Sequence, residues 1–95
     1  MADGPAEDAG AQRIDKWLWH ARFVRTRSAA TSLVTAKRFR VNGRVGIKPA
    51  ALVRPGDVLT FPLGRTVRVI RILKLADRRG SATIAQTLYE VVEED

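Results

Sequence analysis

The sequence predicts an α+β fold in which two N-terminal helices pack on a small, mainly antiparallel sheet and a C-terminal helix closes the domain. Three observations predict it. Apolar residues recur at helical spacing early in the chain, where Ile14, Trp17, Leu18 and Ala21 fall at i, i+3, i+4 and i+7. Beyond Lys37 the period changes to two, with Phe39 and Val41 alternating with Arg38, Arg40 and Asn42. Near the end Ile84, Leu88, Val91 and Val92 again fit one helical stripe behind Ser81, a residue that can cap a helix.

The first helix is expected over Ile14 to Phe23. Its apolar stripe leaves Lys16, Trp19 and Phe23 on the opposite side, so a later segment of the chain, here the C-terminal helix, is expected to cover the two aromatics. Val24 to Ser28 breaks the pattern, and Thr26 or Ser28 can cap a second helix running from about Arg27 to Ala36. That helix turns Ala30, Leu33 and Val34 inward and Ser28, Thr31, Ser32 and Thr35 outward. Asn42-Gly43 is a hairpin signal, because a type I′ turn needs positive φ at both central residues, and Val45 and Ile47 are expected to begin the return strand. Lys48-Pro49 and Arg54-Pro55-Gly56-Asp57 read as turns. Val58 to Phe61 reads as a strand ended by Pro62, and Arg65 to Leu75 as a longer strand. In the latter, Val67 and Val69 share one face while Ile70 and Ile72 share the other, a slip that implies a bulge or burial on both faces.

Charge is distributed unevenly. All 17 Lys and Arg lie between Arg13 and Arg79, against three acids in that span (Asp15, Asp57, Asp77), and the net charge is +7. Thirteen of the 17 are Arg, whose planar fork suits phosphate oxygens and base edges. A basic core of this kind implies a polyanionic partner, since cationic side chains near phosphates release condensed counterions. Residues 1–12 hold Ala, Gly, Pro and acid without apolar period, and read as a disordered acidic tail. They carry no secretory signal, no run is long enough to span a membrane, and the absence of cysteine fits a reducing compartment; the chain reads as cytoplasmic and monomeric.

Nothing suggests an enzyme. His20 is the single histidine and has no companion at metal-ligand or triad spacing, and there is no phosphate-cradling Gly-rich signature. No catalytic residue, metal site or cofactor is expected. The candidate binding residues are instead cationic or hydroxyl-bearing. They are Arg13 and Lys16 on the first helix; Arg22, Arg25, Thr26, Arg27 and Ser28 around the break; Lys37 and Arg38 after the second helix; and Arg40 and Asn42 on the first strand of the sheet. At the N-terminus of the second helix, unpaired amides, the helix dipole and flanking Arg25 and Arg27 make a site suited to phosphate.

In order along the chain, Arg13-Ile14-Asp15-Lys16-Trp17-Leu18, Thr26-Arg27-Ser28-Ala29, Arg40-Val41-Asn42-Gly43 and Val53-Arg54-Pro55-Gly56-Asp57 resemble the S4-type RNA-binding domain. With Trp19, Ala21-Arg22-Phe23 and the distant Leu88-Tyr89-Glu90, the pattern is similar to the bacterial heat-shock protein 15 family of stand-alone S4-type proteins. The resemblance implies an S4-like domain over residues 13–75, with its core motif at 13–61 and residues 76–95 packing on it as a loop and helix. It also implies binding to ribosomal RNA of the large subunit, in stress-linked handling of subunits that carry a nascent chain on peptidyl-tRNA. The sequence departs from the pattern where Ala36-Lys37 stands in place of a glycine before the strand, and in ending at Asp95 without a long basic tail, which implies a lower ribosome affinity. Two further readings are a protein adaptor that docks through Trp19 and Phe23, and a general DNA-binding module.

Overall fold

The computed structural model describes residues 10–94, with side chains as far as Val92. Its elements are β1 (Gln12–Arg13), α1 (Ile14–His20), α2 (Arg27–Thr35), β2 (Arg40–Val41), β3 (Leu52–Val53), β4 (Val58–Leu63), β5 (Thr66–Ile72), α3 (Ala82–Ala85), a 3-10 turn (Gln86–Leu88) and β6 (Tyr89–Glu94). Two antiparallel sheets form: β1 with β3, and a four-stranded sheet in the order β2-β4-β5-β6. The two helices cover one face of the larger sheet. Ile14, Trp17 and Leu18 of α1, Ala30 and Val34 of α2, and Phe39, Leu59, Phe61, Ile70 and Ile72 make one continuous core.

The apolar stripe of α1 is buried as its spacing predicts, but the helix ends three residues sooner than Phe23. Arg22 adopts a left-handed backbone (φ 65°), and the chain closes with Arg22 N–H donating to the Trp19 carbonyl (3.1 Å) and Phe23 N–H to the Leu18 carbonyl (3.1 Å). This is a Schellman ending, sealed by the Phe23 ring 6.1 Å from that of Trp17. It normally recruits glycine, and an arginine there gives no sequence signal. Thr26 caps α2, its hydroxyl accepting the Ala29 N–H at 2.9 Å. At the other end of α2 Ala36 is extended (φ −65°, ψ 143°), so the helix stops without the left-handed residue that glycine would supply.

Asn42 (φ 51°) and Gly43 (φ 83°) make the tight turn that Asn-Gly predicts. The return strand is a correction: only Val41 and Arg44 bridge across the turn, and Val45 and Ile47 belong to no strand. The partner of β2 is β4, with Arg40 opposite Thr60. Pro62 does not end β4 but sits inside it, opposite Val67. Val58 turns both its N–H and its carbonyl toward the β2 side, to Asn42. Two strand periods on, at four residues' distance, the missing N–H of Pro62 falls on that same side, beyond the last residue that β2 covers. The slip in β5 coincides with a register shift between Val69 and Ile70 in its pairing with β6.

The C-terminal helix is the larger correction. Ser81 does cap a helix, accepting the Ile84 N–H at 3.2 Å, but α3 is a single turn and residues 89–94 form edge strand β6 on β5. Three of the four residues read as its apolar stripe, Ile84, Val91 and Val92, are exposed. Trp19 and Phe23 are nevertheless covered by later chain: the Arg79 guanidinium lies 5.7 Å from the Trp19 ring centre, and Phe23 meets Phe61 and Tyr89 at 5.3 and 4.6 Å. Of the predicted N-terminal tail, residues 1–9 lie outside the described residues. Ala11 and Gln12 do not belong to a disordered tail, since both are buried and Gln12 pairs with Val53.

The segment between β5 and α3 acts as a strap across α1. Trp17 Nε1 donates to the Lys74 carbonyl (2.9 Å), His20 Nδ1 meets the Ala76 carbonyl (2.9 Å), Gln12 Nε2 donates to that same carbonyl (2.6 Å), and Arg79 Nε donates to the Trp19 carbonyl (3.0 Å). A seven-residue helix cannot hold itself in water; the strap and the core do so. Replacing Trp17 by Phe keeps an aromatic ring and leaves the Lys74 carbonyl without its donor. It should lower the unfolding free energy by about 1–2 kcal/mol, read as a lower urea midpoint at unchanged slope.

Candidate nucleic-acid interface

The site is built around a buried acid. Asp15 stands in the first turn of α1, is only 3% exposed, and accepts two hydrogen bonds from Arg13: Nε to Oδ1 at 3.1 Å and Nη2 to Oδ2 at 2.8 Å. Arg27, in the first turn of α2, brings its Nη2 to 3.5 Å from the same Oδ2. One carboxylate therefore fixes two guanidiniums from separate elements. The Arg13 pair is bidentate, the geometry that holds a guanidinium in one orientation. Arg27 is more distant and half exposed, so its contact orients rather than contributes much stability.

Around this point the sequence-predicted residues fall into three groups. Arg25, Thr26, Arg27 and Ser28 are all exposed at the start of α2. Thr26 takes up the Ala29 amide, and the amides of Arg27 and Ser28 lie in the same first turn, at the positive end of the helix dipole. Arg13 and Lys16 adjoin this group through Asp15 and through His20, whose field includes both Lys16 and Arg27. Lys37 and Arg38 are exposed in the turn after α2, a helix length of about 14 Å away, and Arg40 follows on β2.

Two predicted residues are engaged within the fold. Arg22 Nε donates to the Gly80 carbonyl at 2.7 Å, tying the α1–α2 elbow to the strap. The side-chain amide of Asn42 both donates to Asp57 Oδ1 (3.0 Å) and accepts from the Val58 N–H (2.8 Å), which locks the tight turn against the Arg54–Asp57 turn. Sequence reasoning missed three arginines. Arg44 and Arg54 are exposed on either side of that locked pair, and Arg79 clamps the elbow through the Trp19 and Val24 carbonyls. Arg44 had a signal, since it directly follows the Asn-Gly turn. Arg79 had none, because its acceptors are backbone carbonyls more than fifty residues away.

His20 is buried, at 2% exposed. Its Nδ1 faces a carbonyl, so that nitrogen carries the hydrogen. Burial pushes its pKa below the ordinary 6.5; the Ala76 hydrogen bond opposes this, Lys16 and Arg27 add to it, and Asp77 opposes it. Among the described residues no group of three or more His, Cys, Asp or Glu is placed to hold a metal ion, and no helix is long and apolar enough to cross a membrane.

The S4 domain profile matches residues 12–59, the stretch that carries both helices, β2, β3 and the two locked turns. The heat shock protein 15 homolog of Aeromonas salmonicida is 39% identical over 89 residues, which cover 94% of this chain and 67% of that protein. The chain belongs to the heat shock protein 15 family of S4-domain proteins. Heat shock protein 15 of Escherichia coli K12 is 33% identical over 94 residues, or 99% of this chain and 68% of the relative. The trimeric structure of Vibrio cholerae heat shock protein 15 superposes with a TM-score of 0.81 at 39% identity, covering 86% of this chain and 82% of that one. The fold is α+β and the chain carries an S4 RNA-binding domain.

The titration of His20 gives a test of the site's burial. The folded state holds the ring neutral to lower pH than the unfolded chain does, so the unfolded chain binds the extra proton first as pH falls. Stability should be full above pH 6.5, the unfolded value, and decline as pH drops below it. Urea midpoints measured from pH 8 to about pH 5 should show that fall, and His20→Gln should flatten it; an equal fall in the variant would contradict the assignment.

Proposed function

We propose that this protein binds structured ribosomal RNA of the large subunit through the face that surrounds Asp15. Arg13, Lys16, Arg25, Thr26, Arg27 and Ser28 form its centre, and Lys37, Arg38 and Arg40 form its extension past α2. Its role is stress-linked rescue or recycling of subunits that still carry a nascent chain on peptidyl-tRNA, in the cytoplasm. The observation that carries this reading is the meeting of Arg13 and Arg27 on one buried carboxylate beside the capped start of α2. Amides, guanidiniums and the positive end of a helix dipole meet there, a combination that suits phosphates and carries no base code. Membership of the heat shock protein 15 family supports the ribosomal target.

The Vibrio cholerae relative was solved as a trimer. In this chain one copy holds every element of the proposed face, which supports RNA contact by a monomer. The adaptor reading has less surface to use, since Phe23 packs on Phe61 and Tyr89 and Trp19 lies against Arg79. No residue of the face calls for a cofactor, and none is proposed.

Replacing Arg25 and Arg27 together by Ala should weaken binding to a large-subunit rRNA fragment. The salt slope of log K should become shallower by about 0.7–0.9 for each phosphate left without its cation. Lys48→Ala, at an exposed cation outside the face, serves as the control. An unchanged slope in the double variant would remove the site. Competition at equal length separates the targets: large-subunit rRNA should displace the probe better than small-subunit rRNA or duplex DNA. Crosslinking in heated cells should enrich large-subunit rRNA reads, and reads scattered over unrelated transcripts would contradict the ribosomal role.

A further inference from the structure

A cavity of about 390 Å³ opens beside the cationic face, between the Asn42-Gly43 turn and the Arg54–Asp57 turn. Val41 and Ile47, both half-buried, give it an apolar side, and the exposed Arg44 and Arg54 stand among its lining residues. Asp57 also lines it, and its carboxylate is held rigidly: Oδ1 accepts from Asn42 Nδ2 at 3.0 Å and Oδ2 from the Arg54 N–H at 2.9 Å. Each carboxylate oxygen has a second lone pair, so Asp57 keeps acceptor capacity on both oxygens. The cavity thus combines an apolar wall, a fixed pair of acceptors and two guanidiniums.

We propose that this cavity takes a single unpaired guanine nucleotide. Guanine is the base whose Watson–Crick edge presents two adjacent donors, N1–H and the N2 amino group, to match the paired oxygens of Asp57. Adenine, cytosine and uracil each place an acceptor nitrogen or oxygen next to their donor, and that acceptor would meet a carboxylate oxygen. The apolar wall covers the base face, and Arg44 and Arg54 take the phosphate. A basic peptide is excluded by the two guanidiniums, and a bare phosphate makes no use of Asp57 or the apolar wall. Two sources share this chemistry: a looped-out guanosine in RNA, which rests on the RNA reading above, and a free guanine nucleotide.

The test is a titration of the full-length, isotope-labelled protein, following the Ile47 methyl signals by NMR. Guanosine monophosphate should shift them with an affinity about tenfold or more above that of the adenosine, cytidine and uridine monophosphates. Inosine monophosphate, which lacks the N2 amino group, should fall between. A single-stranded hexamer with one guanosine separates the sources: tighter binding than the mononucleotide assigns the site to RNA, and equal or weaker binding assigns it to free nucleotide. Equal shifts from all four nucleotides, the same shifts from inorganic phosphate, or no response at Ile47 would overturn the proposal. Ala51→Trp, which fills the cavity from another lining position and keeps Ile47 as the reporter, should abolish the Ile47 response, and the wild-type titration stands whether or not that variant folds. The mononucleotide arm uses no structured RNA, so its failure with normal rRNA affinity sinks the cavity alone. Loss of rRNA binding with guanine preference intact sinks the RNA face alone.

Discussion

A carboxylate with almost no access to water sits at the centre of a surface that is otherwise cationic. Asp15 exists there because Arg13 grips it with two hydrogen bonds and Arg27 approaches from the next helix. Burying a charge is costly unless it is paired, so the buried place of Asp15 depends on the positions of both arginines. Without that acid, the cations at the starts of α1 and α2 would repel one another across the helix pair. With it, they are held in one place. The binding face follows from this local solution to an electrostatic problem.

The rest of the structure keeps α1 where Asp15 can do this. The helix is short, and its first amides are taken by the Ala51 and Pro49 carbonyls. Its buried ring Trp17 and its buried His20 reach carbonyls of the strap, and Arg79 closes over Trp19. The strap leads into β6, whose Tyr89 packs on Phe23 at the end of the same helix. The far end of the chain therefore positions residues near its start, and the cationic face depends on contacts that span most of the sequence.

Much of this was legible in the sequence, where the physics is local. The Thr26 and Ser81 caps, the Asn42-Gly43 turn and the inward stripe of α1 each require a particular residue type at a particular position, and each is present. Residues 88–94 were not legible, because Leu88, Val91 and Val92 fit a helical stripe as well as a strand, and an open edge on β5 decided the outcome. The same holds for the turn at Arg22, where tertiary contacts impose a left-handed backbone that its side chain does not advertise. The predicted cations are exposed where expected around α2, but Asn42 and Arg22 hold the fold together, because their partners are backbone groups and an acid distant in sequence. Arg54 escaped notice for the converse reason: only folding brings its turn and the Asn42-Gly43 turn around one cavity.

The most direct measurement of the central claim is the RNA affinity of Asp15→Asn across a range of salt concentrations, with folding checked by circular dichroism. The substitution raises the net charge of the protein by one, and by charge alone it should tighten binding to any polyanion. If Asp15 acts by holding Arg13 and Arg27 in register, affinity falls instead, with a shallower salt slope in a chain that remains folded. A folded variant that binds RNA more tightly, in step with its added positive charge, would contradict the account.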